Sequence, residues 1–323
     1  MIRATVSAIT LLAISGLAAP GASGQPSSKA SGTVPDRAVL LQQATEAQQG
    51  GRTVDAVRLY RLAAERYQSV QAYLELARLQ GRAGDTPGAL DSLSKARAIA
   101  PNSEDVLSAI AQLSLAAKLP LPAVLTLQAL TRVYPSVPQY HYLLGVGLMA
   151  LGDMSSAVDS LTEADRLEPD RALTRLALGL ALNNRKQFAE AKMALSQSLA
   201  LQPDSVDGVA ALAEAEAGLG DYTSAAADAQ RALKRAPDHA TANLVMGMVL
   251  MERRSYANAR DTLLKAVAAD PESPRALYQL SLVYARLGDE ANARRYVDLY
   301  QEKLRAVEER LQALRGRRDK SLQ

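Results

Sequence analysis

Six prolines, Pro101, Pro135, Pro169, Pro203, Pro237 and Pro271, stand 34 residues apart without a slip. Five identical gaps do not arise by chance, and a fixed period of this length marks a chain built by stacking one small unit many times. Other rows keep the same step. Ala89, Ala123, Ala157, Ala191, Ala225, Ala259 and Ala293 form one, and Ala77, Ala111, Gly145, Gly179, Ala213, Gly247 and Ser281 form another. A third row, Leu93, Leu127, Leu161, Leu195, Ala229, Leu263 and Val297, lies four residues past the first and therefore on the same helical face. Small side chains permit close approach where helices cross. Each unit thus reads as two amphipathic helices and a Pro-started connection. The aromatic content agrees: with 12 Tyr, one Phe and no Trp, the 48% hydrophobic residues are mostly small and aliphatic. Such residues suit layered helices better than one large core.

A 34-residue helix–turn–helix unit with small residues at its eighth and twentieth places and Pro at its thirty-second resembles the tetratricopeptide repeat. In this phase the units are 70–103, 104–137, 138–171, 172–205, 206–239, 240–273 and 274–307. A divergent first unit, about 37–69, keeps Ala44, Ala56, Tyr60 and Ala63 but has Gln68 in the Pro place, and the last has Arg305 there. The resemblance covers about 37–307. It implies an all-α fold, a right-handed α-solenoid of about eight helix–turn–helix units with a long C-terminal capping helix.

The turns alternate in chemistry. Gly84-Asp85, Gly152-Asp153, Gly220-Asp221 and Gly288-Asp289 recur every 68 residues, Gly suited to a left-handed C-cap and Asp to an N-cap. Between them the Gly place holds Lys118, Lys186 and Arg254, cations that favour a helix C-terminus. A super-period of two units suggests that repeats were duplicated in pairs. Phe188, Tyr222 and Tyr256 share one place at the start of second helices and are expected to pack between helices.

The resemblance also implies an inner groove lined by first helices, with the second, fifth, ninth, twelfth and thirteenth places pointing into it. Those places hold Tyr142, Val146 and Met149, then Leu173, Leu176, Leu180, Asn183 and Asn184, and continue through Asp207, Glu214, Leu244, Met248, Met251, Tyr278 and Leu282. The face is largely apolar. Family members that grip a peptide's C-terminal carboxylate use Lys, Asn and Arg there. Here Asn183 and Asn184 match only partly, and Arg78 and Arg82 lie three repeats away. The pattern therefore favours an apolar or amphipathic helix, or an extended segment, in the groove. Met and Tyr suit that task because they adapt in shape and give contact area at modest entropy cost. Two arrangements would hide these rows: a tightly wound superhelix, or the terminal helix folded back into the groove.

From Ala293 the apolar residues run Val297, Tyr300, Leu304, Val307, Leu311 and Leu314 in steps of four and three, a heptad seam. A long helix capping the end of the stack accounts for it. A homodimer through Leu304 to Leu314 is the alternative.

The chain opens with Arg3, an uncharged run from Ala4 to Ala19, Pro20 and small residues, the layout of an export signal over 1–24 with cleavage expected after Gly24. The run is shorter than the roughly 20 residues that span a bilayer, and no second one follows. The mature chain is therefore expected not to span a membrane, and to be periplasmic or extracellular. Residues 25–36 read as a flexible linker, small and polar. Residues 308–323 read as the end of the last helix and a basic tail. With Arg3 removed, 36 basic residues face 34 acidic ones, and residues 303–323 alone carry seven basic and three acidic. The repeat body is near neutral, so duplex nucleic acid is not an expected partner.

With no Cys, thiolate metal sites, disulfides and a Cys nucleophile are excluded. The two His, His141 and His239, stand far apart, one in a helix-packing place and one in a connection. Gly145-Val-Gly147 lacks the third glycine of a dinucleotide fingerprint and sits inside a helix. No catalytic constellation or cofactor site is expected. The chain reads as a non-catalytic exported scaffold that binds a protein or peptide in a cell-envelope or secretion assembly. The alternative is a lipid- or glycan-binding accessory protein, with Asn183, Asn184, Tyr142 and Tyr278 as hydrogen-bonding groups.

Overall fold

The computed structural model describes residues 35–321, with side chains to Gly316. The expected export signal, most of the linker and the far end of the basic tail lie outside the described residues. Helices and turns make up everything described, and the chain divides into two compact units between Lys118 and Leu119. The first holds α1 (Arg37–Gln49), α2 (Thr53–Tyr67), α3 (Val70–Arg82), α4 (Thr86–Ile99) and α5 (Glu104–Ala116). The second begins with α6 (Pro120–Val133), α7 (Pro138–Leu151), α8 (Met154–Leu167), α9 (Ala172–Asn184) and α10 (Phe188–Leu201). It continues with α11 (Val206–Gly218), α12 (Tyr222–Arg235), α13 (Ala240–Glu252), α14 (Tyr256–Ala269), α15 (Pro274–Arg286) and α16 (Glu290–Ser321).

The prolines end the second helices. Ala100, Tyr134, Glu168, Gln202, Ala236 and Asp270 each precede one and each is a C-cap, with φ between −140° and −124° and ψ between 64° and 86°. A residue before Pro is pushed out of the helical region by its clash with the ring, so the helix stops there. At the other turn, Asp85, Asp153 and Asp221 each accept a hydrogen bond from the backbone N–H three residues on, and Asp289 does the same from Asn292.

Gly84, Gly152, Gly220 and Gly288 are left-handed, and so are Lys118, Lys186 and Arg254, at φ 56°, 60° and 57°. The cation satisfies the helix dipole, but its Cβ strains a backbone that Gly adopts freely. Lys186→Gly is expected to stabilise the second unit by about 1 kcal/mol, read as a higher midpoint in a urea titration.

In the first unit α1 packs on α2, α2 on α3, α3 on α4 and α4 on α5, and in the second each helix packs on the next, from α6 on α7 to α15 on α16. First helices also touch one another, α7 to α9, α9 to α11, α11 to α13 and α13 to α15. That places them on the inner side of the stack. Ala89, Ala157, Ala191, Ala225 and Ala259 are fully buried, as are Leu161, Leu195 and Leu263. The small row faces the Leu row. A Cβ on Gly145 would lie 2.5 Å from Cγ of Leu161, one on Gly247 2.5 Å from Cγ of Leu263, and Gly179 meets Leu195 in the same way. Where this Leu is replaced by Ala229, its opposite number is Ala213 rather than Gly, and both belong to one core cluster. Of the three carbon atoms that Ala229 lacks relative to Leu, one returns on the facing helix as the methyl of Ala213.

The last helix is 32 residues long, about 48 Å at 1.5 Å per residue. Its root is held on the end of the stack, where Tyr296 stacks on Tyr284 with centroids 5.5 Å apart and Leu299 and Tyr300 join the terminal core cluster. Its far half returns to the beginning of the same unit and packs on α6 and α7. There Leu314 is buried, Arg310 Nη1 donates to the carbonyl of Ala150 at 3.5 Å, and the side chain of Val307 closes over Gly152. The seam is as expected from the sequence with one change. Leu304 is 44% exposed, and Lys303 takes the inward place, its ammonium 2.9 Å from Glu272 on the turn before α15. A long aliphatic stem with a charged head can bridge that rim where Leu cannot.

Candidate interaction surface

The inner layer of the second unit is built from α7, α9, α11, α13 and α15. Of the fifteen residues at the groove places expected from the sequence, Tyr142, Val146, Met149, Leu176, Leu180, Asn183, Glu214 and Leu244 are buried and Asp207 is half-buried. Met248, Met251 and Leu282 are half-buried. Leu173 and Tyr278 are 42% and 43% exposed, and Asn184 is exposed with its amide donating to the Leu180 carbonyl at 2.9 Å. The cause is the approach of successive first helices, which closes each row against its neighbours. The terminal helix adds to it. Tyr278 lies 5.4 Å from the ring of Tyr300, and Met248 and Met251 pack on the same cluster as Leu299 and Tyr300.

Polar links tie the inner layer together. Asn183 Nδ2 donates to the carbonyl of Ala211 at 2.8 Å and faces Glu214 Oε2 at 3.4 Å. Glu214, on α11, is paired with Arg275 on α15. That ion pair links two first helices that stand two repeats apart in the chain. Glu214 is almost fully buried and Arg275 one-third exposed. A buried carboxylate is tolerable only with such a partner.

Two more links sit at the starts of first helices. Arg171 Nη1 donates to Gln139 Oε1 and lays its guanidinium over the Tyr142 ring, 4.9 Å from the centroid. Burial pushes the Tyr142 phenol above its ordinary range, and the Arg171 charge only partly offsets it. One super-period later, His239 Nε2 meets Asp207 Oδ1 at 2.9 Å. Because His239 Nδ1 accepts the N–H of Ala242 at 3.3 Å as the N-cap of α13, the neutral ring carries its proton on Nε2 and donates it to the carboxylate. That bond holds the Asp207 carboxyl below the usual carboxylate range.

Sequence reasoning placed Asp207, Glu214 and Asn183 on the inner layer and His239 in a connection between units, but not their pairing, and it passed over Gln139, Arg171 and Arg275. The signal for two of the pairs was present. Gln139 with Arg171 and Asp207 with His239 are each 32 residues apart, and the pairs repeat at 68. His141 Nε2 donates to the Pro135 carbonyl, 2.8 Å away, and Phe188 lies against Gly218, as helix packing requires.

Also on α11, Glu216 is buried, with one oxygen 3.1 Å from Lys192 on α10 and the other without a hydrogen-bond partner. Burial raises its pKa, and the Lys192 hydrogen bond opposes this without cancelling it. A folded pKa above the unfolded one means that the folded chain binds the proton more tightly, so this group's contribution to stability falls as pH rises through that window. Glu216→Gln is therefore expected to melt higher than the parent at pH 7, with the advantage shrinking as the pH falls towards about 4.5. An advantage that is constant with pH would contradict this.

A tetratricopeptide repeat family model matches residues 41–104, 176–240, 210–274 and 244–307. A TPR repeat-containing protein of Pseudomonas aeruginosa is 27% identical over 152 residues, 46% of this chain and 26% of that protein. The chain thus spans about a quarter of the length of that relative. Among solved structures, a tetratricopeptide repeat protein from Parabacteroides merdae superposes with a TM-score of 0.57 at 16% identity, over 76% of this chain and 98% of that one. Pseudomonas aeruginosa pilF gives 0.51 at 17%, over 64% and 94%. The Cut9–Hcn1 complex of APC/C gives 0.54 at 16%, over 76% and 48%. Stacked 34-residue helix pairs, the small-residue and Leu rows and these matches agree, and the chain belongs to the tetratricopeptide repeat family, whose fold serves as a scaffold for protein–protein interaction.

Proposed function

We propose that the chain is an exported, non-catalytic scaffold of a cell-envelope or secretion assembly, and that the inner layer of its second unit receives a peptide or helix of a partner protein. The observation that carries this reading is the apolar inner face, with Leu173 and Tyr278 exposed on it and Met248, Met251 and Leu282 partly so. An apolar strip of this kind accepts an amphipathic segment through its i, i+3 and i+4 residues. The buried rows behind it, Leu176 and Leu180 among them, set its shape rather than touch the partner.

Capture from envelope extract separates the possibilities, with the full chain and a Leu173→Lys/Tyr278→Lys variant of matched circular dichroism as baits. Proteins held by the parent and lost from the variant support the inner face as the site. The same proteins on both baits would overturn it. Export is tested on the chain isolated from its host: an N-terminus at Gln25 is expected, and an intact Met1 in the cytosolic fraction would contradict it.

A further inference from the structure

The two halves of α16 are held very differently. Its root is fixed by the Tyr284–Tyr296 stack, the Tyr278–Tyr300 contact and the Lys303–Glu272 ion pair. Its far half, seated on α6 and α7, has one buried side chain, Leu314, with Val307 and Leu311 half-buried and one 3.5 Å hydrogen bond from Arg310. No ion pair is found between residues 304–316 and α6 or α7 among the described residues. The face that this half covers is apolar and shaped for a helix. Val307 closes over Gly152, where the absence of a Cβ admits it, and the buried rows of α6 (Ala123, Val124, Leu127, Leu130) and α7 stand behind.

We infer that α6 and the α7–α8 turn form a docking site for an amphipathic helix, occupied at rest by the chain's own residues 304–314 and released without unfolding of the root. The helix is then a latch that joins the last repeat of the second unit to its first helices, and the vacated face takes the same segment when it is offered in trans. Specificity lies in the seam: apolar side chains at 307, 311 and 314 meet the face, while Glu308, Glu309 and Arg315 stay in water. The inference goes beyond the scaffold reading and does not depend on any partner's identity.

Two measurements on the full chain test it. Backbone hydrogen exchange is expected to show residues 304–314 opening at least tenfold more often than residues 292–302. Uniform protection along α16 would overturn the latch. In the second, a fluorescent peptide of residues 300–316 is titrated against the parent and against Val307→Asp/Leu314→Asp, whose own helix tip cannot reseat. The variant is expected to bind the peptide at least tenfold more tightly than the parent, and a peptide carrying the same two substitutions is expected to bind neither. Equal binding to parent and variant, or none to a variant that keeps its helix content, would overturn the docking site. If the double substitution loses helix content, Val307→Ala/Leu314→Ala replaces it with the same expectations.

Discussion

Ala157→Arg and Ala225→Arg are each expected to shift the cooperative unfolding transition of the second unit to much lower urea. Both alanines are fully buried where a second helix crosses its neighbours. A guanidinium forced there has no carboxylate to meet and no room to reach water. The cost is about 3–5 kcal/mol for a buried unpaired charge, before the strain of overpacking is added. Against a total stability of about 5–15 kcal/mol, that is a large share. In urea the midpoint is expected to fall by at least about 1 M, given slopes of about 1–3 kcal/mol/M. Ser155→Arg, on an exposed position of the same helix as Ala157, is the control and is expected to stay within about 0.5 kcal/mol of the parent. A melt unchanged by either Ala substitution would mean that the phase of the repeats is wrong.

Gly179→Val is expected to cost about 1–3 kcal/mol by overpacking. In the native structure the place of the new Cβ is filled by Leu195, and neither backbone can retreat without disturbing the next helix pair. Leu195→Ala alone is expected to cost about 2–5 kcal/mol through the cavity it leaves. The double variant is expected to be more stable than the sum of the two costs allows, by about 1 kcal/mol or more, because the new side chain fills the cavity. Nature supplies the precedent in the Ala213 and Ala229 pair, where both partners are intermediate in size. Strict additivity of the two substitutions would show that these residues do not face each other as described.

The helix pairs, their phase and their caps were legible in the sequence because each rests on local chemistry. Pro ends a helix through the residue before it, Asp caps the next one, and an Ala with a Leu four residues later share a face. The left-handed cations were legible as turn residues, though not as strained ones, since a Lys at a C-terminus is also explained by the dipole alone. The inner face was only half legible. Which residues stand on it follows from their places in the repeat, but whether they are open depends on how closely successive first helices approach. That is a property of the stack and not of any one unit. So Leu176, Leu180 and Tyr142 are buried while Leu173 and Tyr278 are open. The Glu214–Arg275 pair joins helices two units apart. The seat of α16 was the least accessible: its seam is local, whereas its contact with Ala150 comes 160 residues away in sequence.

The most direct test of the central claim is site-specific photo-crosslinking in the native host, with a photoreactive phenylalanine at Leu173, at Tyr278 or at Met193, which is 62% exposed on a second helix. The account predicts one and the same protein adduct from positions 173 and 278 and none from position 193. Adducts from position 193 alone, or equally from all three, would contradict an inner face that receives the partner.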